Sequence, residues 1–163
     1  MGRQVYLSGI NYKKIADSRI EIIDIINNPI AKTYGNQASK IDIAKLNNPS
    51  SFTVEEFASL INVLELYYDQ LSPDNCYNQS LTKIGITETF STSTTSESDL
   101  FMYAFISLFP NLPNRYEESI YYPLSKNDLL KVLRKMNANI FLQRLIHKID
   151  SSDEDVYLLF DSY

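Results

Sequence analysis

The last fifteen residues, IDSSDEDVYLLFDSY (149–163), limit the possible folds more than any other stretch. Four carboxylates, Asp150, Asp153, Glu154 and Asp155, crowd into six positions, and VYLLF follows at once. A helix–loop–helix calcium site needs oxygen ligands at alternating positions, a central glycine and a closing bidentate glutamate. Here the acids are adjacent or irregularly spaced and the glycine is missing. A disordered acidic tail lacks bulky apolar residues, so that reading fails at Val156. What remains is a charged turn, Asp150 to Asp155, leading into a strand, Asp155 to Tyr163. Val156, Leu158 and Phe160 alternate with Tyr157 and Leu159, so both faces are apolar. Such a strand is paired and covered; left open it would be an aggregation hazard. The partner is QVYLSGI (Gln4–Ile10), where Val5 and Leu7 alternate with Gln4 and Tyr6. The two chain ends are expected in one small sheet.

Between these strands the pattern is mainly helical. Asn11 is placed to cap a helix from Tyr12 to Asn27, with Ile15, Ile22, Ile23 and Ile26 on one side, although RIEII also alternates like a strand. Asn28-Pro29 ends it, because a residue before proline leaves helical geometry. YGNQ (34–37) reads as a turn, and Ser39–Asp42 as the start of a short helix ending before Pro49. Thr53 and Glu56 form a capping box for a helix to Leu71, with Phe57, Leu60, Ile61, Leu64, Tyr67, Tyr68 and Leu71 as its stripe. Residues 74–83 read as loop and 84–90 as a strand. Ser96, three residues before Asp99, is the expected cap of a central helix from Leu100 to Phe109, apolar nearly all round. Ser125 caps the next helix, with Leu129, Leu130, Val132, Leu133 and Met136 inward. Ile140, Leu142, Leu145, Ile146 and Ile149 continue the pattern after Asn137-Ala138-Asn139, which leaves one long helix or two.

The chain of 163 residues fits one domain, 1–163. A single cysteine, Cys76, forbids an internal disulfide, and a single histidine forbids a Cys/His zinc site within one chain. The net charge of −5 speaks against a phosphate-tracking nucleic-acid binder. It suits a basic protein partner, or plain solubility. No apolar run reaches the roughly 20 residues of a membrane helix, and MGRQVYLSGINYKK lacks a secretory h-region. A cytoplasmic protein without membrane, metal or cofactor is the expectation.

His147 is the only histidine and, with Asp150 three residues on, a candidate general base. Helix-surface His–Asp pairs are commonly inert. Cys76 has Asp74 and uncharged residues around it, which argues against a reactive thiolate. Glu55-Glu56 and Glu117-Glu118 are sequence neighbours and so do not face each other on a helix. No glycine-rich nucleotide loop and no G-x-S-x-G occurs. Lys131, Arg134, Lys135, Arg144 and Lys148 make the late helical region basic. They form either a solvent face whose long stems cover the core edge or one side of a helix-turn-helix. Arg115–Tyr122 mixes tyrosines with charge, as binding rims do.

Three stretches resemble the YfbM-like group of small bacterial proteins: MGRQVYLSGINYKKI, YYPLSKNDLLKVL and DVYLLFDSY. Together they cover about a third of the chain. The resemblance implies an α+β fold and carries over no activity and no site residues.

The reading is therefore a helix-dominated α+β fold whose small sheet contains the N- and C-terminal strands. The expected function is a non-enzymatic protein-binding module, immunity- or antitoxin-like, masking a basic partner. The alternatives are an enzyme whose site lies near His147 and a helix-turn-helix DNA-binding regulator.

Overall fold

The computed structural model describes residues 2–29, 38–71, 77–110, 119–136 and 140–162, with only the main chain at 77–78, 88, 119–123 and 162. The chain forms two compact units: Met1–Ile10 with Glu88–Tyr163, and Asn11–Thr87. The α+β expectation is borne out, and the sheet contains both terminal strands.

In the first unit, β1 (Gln4–Ile10) and β4 (Val156–Ser162) run antiparallel from Gln4↔Ser162 to Ile10↔Val156. The acidic turn joins this ladder, since the Asp155 N–H donates to the Ile10 carbonyl at 2.8 Å. β3 (Ser119–Ser125) flanks β4 on its other side, and β2 (Ile86–Ser91) flanks β1, giving the order β2-β1-β4-β3. β4 is thus a central strand, which explains its two apolar faces. Tyr157, Leu158 and Leu159 are fully buried, and Phe160 stacks on Tyr6 at 4.9 Å.

Among the described residues, three helices complete this unit: α5 (Thr95–Leu108), α6 (Lys126–Lys135) and α7 (Ile140–Asp150). Their inward residues (Phe101, Phe105, Leu129, Leu133, Leu145 and Ile149 among them) share one core with Val5, Leu7, Phe90, Tyr157 and Leu159. Each such side chain contributes about 1.5–3 kcal/mol by leaving water. Ser125 caps α6 as expected, its Oγ accepting from the Asp128 N–H at 3.1 Å. The long-helix alternative fails: α6 ends at Lys135, and Lys126 Nζ donates to the carbonyls of Asp150, the last residue of α7, and of Ser152 just past it. Residues 137–139 lie outside the described residues.

Two expectations are corrected here. The cap of α5 is Thr94, not Ser96. Thr94 Oγ1 accepts from the Glu97 N–H, and Glu97 reaches back to the Ser93 N–H at 2.8 Å. T-x-x-E closes a reciprocal box, while Ser96 is left inside the helix. Nor is α5 central all round. Phe101, Met102, Ala104 and Phe105 are buried, but Leu100, Tyr103 and Ile106 are exposed along one side. Ser98 faces inward and bonds Thr92 and the Arg3 carbonyl, so the polar run STSTTSES (91–98) is tied into the fold.

Among the described residues, the second unit holds α1 (Tyr12–Asp17), α2 (Arg19–Ile26), three short 3-10 turns (Ala38–Lys40, Ile43–Asn47, Pro49–Ser51), α3 (Val54–Leu71) and α4 (Tyr77–Lys83). The single helix expected over Tyr12–Asn27 is two. Ser18 breaks it, as a residue that competes for backbone bonds does, and Arg19 Nη1 donates to the Ala16 carbonyl at the break. Asn11 caps α1 as read, accepting from the Lys14 N–H at 3.0 Å. α3 carries the expected capping box, with Glu56 N–H to Thr53 Oγ1 at 3.1 Å and Thr53 N–H to Glu56 Oε1 at 3.3 Å. Its stripe packs on α2 and α4, except that Leu71 is exposed. α4 occupies residues read as loop. With no apolar period of its own, it is held by α3. The turn read at 34–37 lies outside the described residues.

Candidate functional site

The spacing of α7 decides what it shows to solvent. Leu142, Leu145 and Ile149 recur at three and four residues and fill the core side. Ile140 and Phe141 cannot both follow them. They remain 69% and 62% exposed, which corrects the inward place read for Ile140. Gln143, Arg144, His147 and Lys148 share the outer side.

Beside α7 the sheet ends in β2, its edge strand among the described residues. Between strand and helix lies an open cleft of ≈ 390 Å³, lined by Thr89, Phe90, Ser91, Phe141, Arg144, Leu145 and Lys148. Phe90 and Leu145 are its apolar floor, both buried in the core beneath. A shallow depression of ≈ 430 Å³ over Ile140, Gln143, Arg144, His147 and Lys148 adjoins it through the two shared cations. Among the described residues neither Arg144 nor Lys148 has an ion-pair partner. Residues 126–148 carry six cations against one carboxylate, the reverse of the chain's net −5. This surface therefore offers apolar contact, an aromatic ring and positive charge.

The residues singled out from sequence are placed as follows. His147 and Asp150 are both exposed on α7, and among the described residues nothing bonds the His147 ring. The nearby Ser151 Oγ donates to main-chain carbonyls, those of His147 at 2.9 Å and Lys148 at 3.2 Å. The base, orienting carboxylate and nucleophile of a triad are not brought together there. Lys131, Arg134 and Lys135 are exposed on α6; of the basic set, only Arg144 and Lys148 line the cleft. Glu56 is engaged by Lys45 as well as by its cap. Cys76, Glu117-Glu118 and the rim read at 115–122 lie outside the described side chains. Among the described residues no group of three or more His, Cys, Asp or Glu could hold a metal ion, and no helix is long and apolar enough to cross a membrane.

Sequence reasoning missed Phe141, Thr89 and Ser91. A signal existed for Phe141: two adjacent bulky apolar residues open α7, and a helix buries only one such neighbour well. For β2 there was none, since being an edge strand is a property of sheet order.

No protein-family model, curated protein or solved structure matches the chain, which leaves the YfbM-like resemblance resting on the three quoted stretches.

Proposed function

We propose that the chain is a non-enzymatic protein-binding module whose docking surface is the cleft between β2 and α7. The observation that carries this reading is an exposed aromatic beside two cations with no ion-pair partner among the described residues, over an apolar floor. Aromatic residues and arginine are the side chains that anchor protein interfaces. The net charge of −5 supports a partner that is basic overall, as an immunity- or antitoxin-like role requires. The cleft is charged the other way and suits a segment bearing carboxylates. A photo-crosslinking residue in place of Phe141 in the native cell tests the reading. A discrete protein adduct, absent when the probe replaces the exposed Tyr103, is the expected result. Equal labelling from both positions would overturn it.

One observation favours the DNA-binding alternative: α6 and α7 are separate helices in contact, and α7 exposes Gln143, Arg144, His147 and Lys148. Against it, Ile140 and Phe141 occupy the first turn of α7, where a recognition helix meets base edges. Duplex DNA binding that collapses with added salt would support this alternative.

A further inference from the structure

We infer that α7 is crossed by a partner segment of apolar–acid–apolar pattern: its carboxylate meets Arg144 and Lys148, one apolar side chain enters the cleft, and the other enters the adjoining depression. This deepens the protein-binding reading and rests on it.

The helical period sets the arrangement. Each residue turns a helix by about 100°, so Arg144 and Lys148 lie about 40° and 80° round from Ile140, and Phe141 about 100° round. The two cations therefore fall in direction between the two exposed apolar residues, roughly one and two turns further along. Arg144 and Lys148 line both hollows, whereas Phe141 lines the cleft and Ile140 the depression. The cation pair divides the two hollows, and each hollow has an exposed apolar residue at its head.

Charge complementarity names the acid. Two cations four residues apart on a helix repel each other, and both are exposed. Carboxylates outnumber cations in the chain, 20 to 15. Yet among the described residues no carboxylate pairs with Arg144 or Lys148. A carboxylate from a partner relieves the repulsion, and a guanidinium can hold it with two parallel hydrogen bonds.

The apolar flanks follow from the same contact. A lone ion pair at the surface contributes little in water. Apolar side chains seated on both sides exclude that water and lower the local dielectric, so the charged contact strengthens. In the cleft, Phe90 and Leu145 supply the apolar floor for one of them. The residues that meet Ile140 and Phe141 are separated by no more than the width of α7, about 10–12 Å. That is at most about four positions in an extended segment and about eight in a helical one.

Photo-crosslinking from the full chain in the native cell tests this, with the probe at Ile140 in one sample and at Phe141 in another. Digestion and mass spectrometry locate the labelled residue of the partner. Both probes should label one protein, at two residues within about eight positions of each other, with an Asp or Glu between them. Arg144→Glu with Lys148→Glu, in a chain that remains folded by circular dichroism, should cut both adducts at least about tenfold. A label from Phe141 alone, labels on two different proteins, or two labelled residues with no carboxylate between them would overturn the crossing segment and leave the cleft as a protein site. No adduct from Phe141, or adducts undiminished by the charge reversal, would overturn both readings.

Discussion

Arg3 holds Asp161 with two parallel hydrogen bonds, Nε to Oδ1 at 2.8 Å and Nη2 to Oδ2 at 2.7 Å, so that two residues 158 apart in sequence close the N- and C-terminal strands together. Asp161 is only 2% exposed, because it falls in the same alternation as Tyr157 and Leu159, on the core side of β4. Its charge is tolerable there only with the guanidinium against it. Arg3 also reaches Asp99 of α5 at 3.1 Å, which ties the helix to the same point.

Arg3→Ala leaves that carboxylate buried and uncompensated, and should lower stability by about 3–5 kcal/mol. Replacing both partners by apolar residues, Arg3→Met with Asp161→Leu, should recover most of the loss. Urea denaturation of the two single variants and the double variant measures the coupling directly. Additive losses would show that the pair does not act as a unit.

Gly85 has φ +104°, and a Cβ there would meet the Asn11 carbonyl oxygen at 2.7 Å. The two residues already hold each other, since the Asn11 N–H donates to the Gly85 carbonyl at 2.9 Å. Gly85→Ala adds a strained backbone to a close approach and should cost about 1–3 kcal/mol. A thermal melt checks this. An unchanged midpoint would place the strain elsewhere.

Acid should weaken the fold through Glu97 and Glu56. Glu97 is held below the usual glutamate range by the Ser93 N–H, then the Ser93 hydroxyl, and also by the Thr94 backbone, against a burial effect. For Glu56, burial pulls upward, but Lys45, Thr53 and Asp42 together outweigh it and the net shift is downward. Both carboxyls bind protons more readily in the unfolded chain. Their stabilisation is therefore complete above the unfolded value of about 4.3 and is lost as pH falls through the lower folded values. The acid limb of a stability–pH profile should flatten in the Glu56→Gln, Glu97→Gln double variant. At the other end, burial and then the hydrogen bond to Glu21 at 2.9 Å raise the Tyr68 pKa. Stability should fall above about pH 10, where the unfolded tyrosine releases its proton first.

How much of this was legible in advance depends on the residue. The pairing of Gln4–Ile10 with Val156–Ser162 was, because period-2 alternation with apolar residues on both faces admits only a covered strand. The Thr53/Glu56 and Ser125 caps were legible for a similar local reason. The cap of α5 was misplaced by two residues in a run where Ser93, Thr94 and Ser96 all qualify. Only the reciprocal Glu97–Ser93 contact separates them. The exposed side of α5 was not legible, since apolar residues at Leu100, Tyr103 and Ile106 look like core until the packing partners are known. The cleft was half legible. Arg144 and Lys148 stood out as a basic face, but their partner surface on β2 exists only once the sheet order puts that strand at the edge.

The most direct measurement is photo-crosslinking in the native cell from position 141, with and without charge reversal at the two cations of the cleft. The protein-binding reading predicts a discrete protein adduct from position 141 that is lost when Arg144 and Lys148 are both replaced by Glu. No adduct from position 141, or an adduct that the charge reversals leave unchanged, would contradict it.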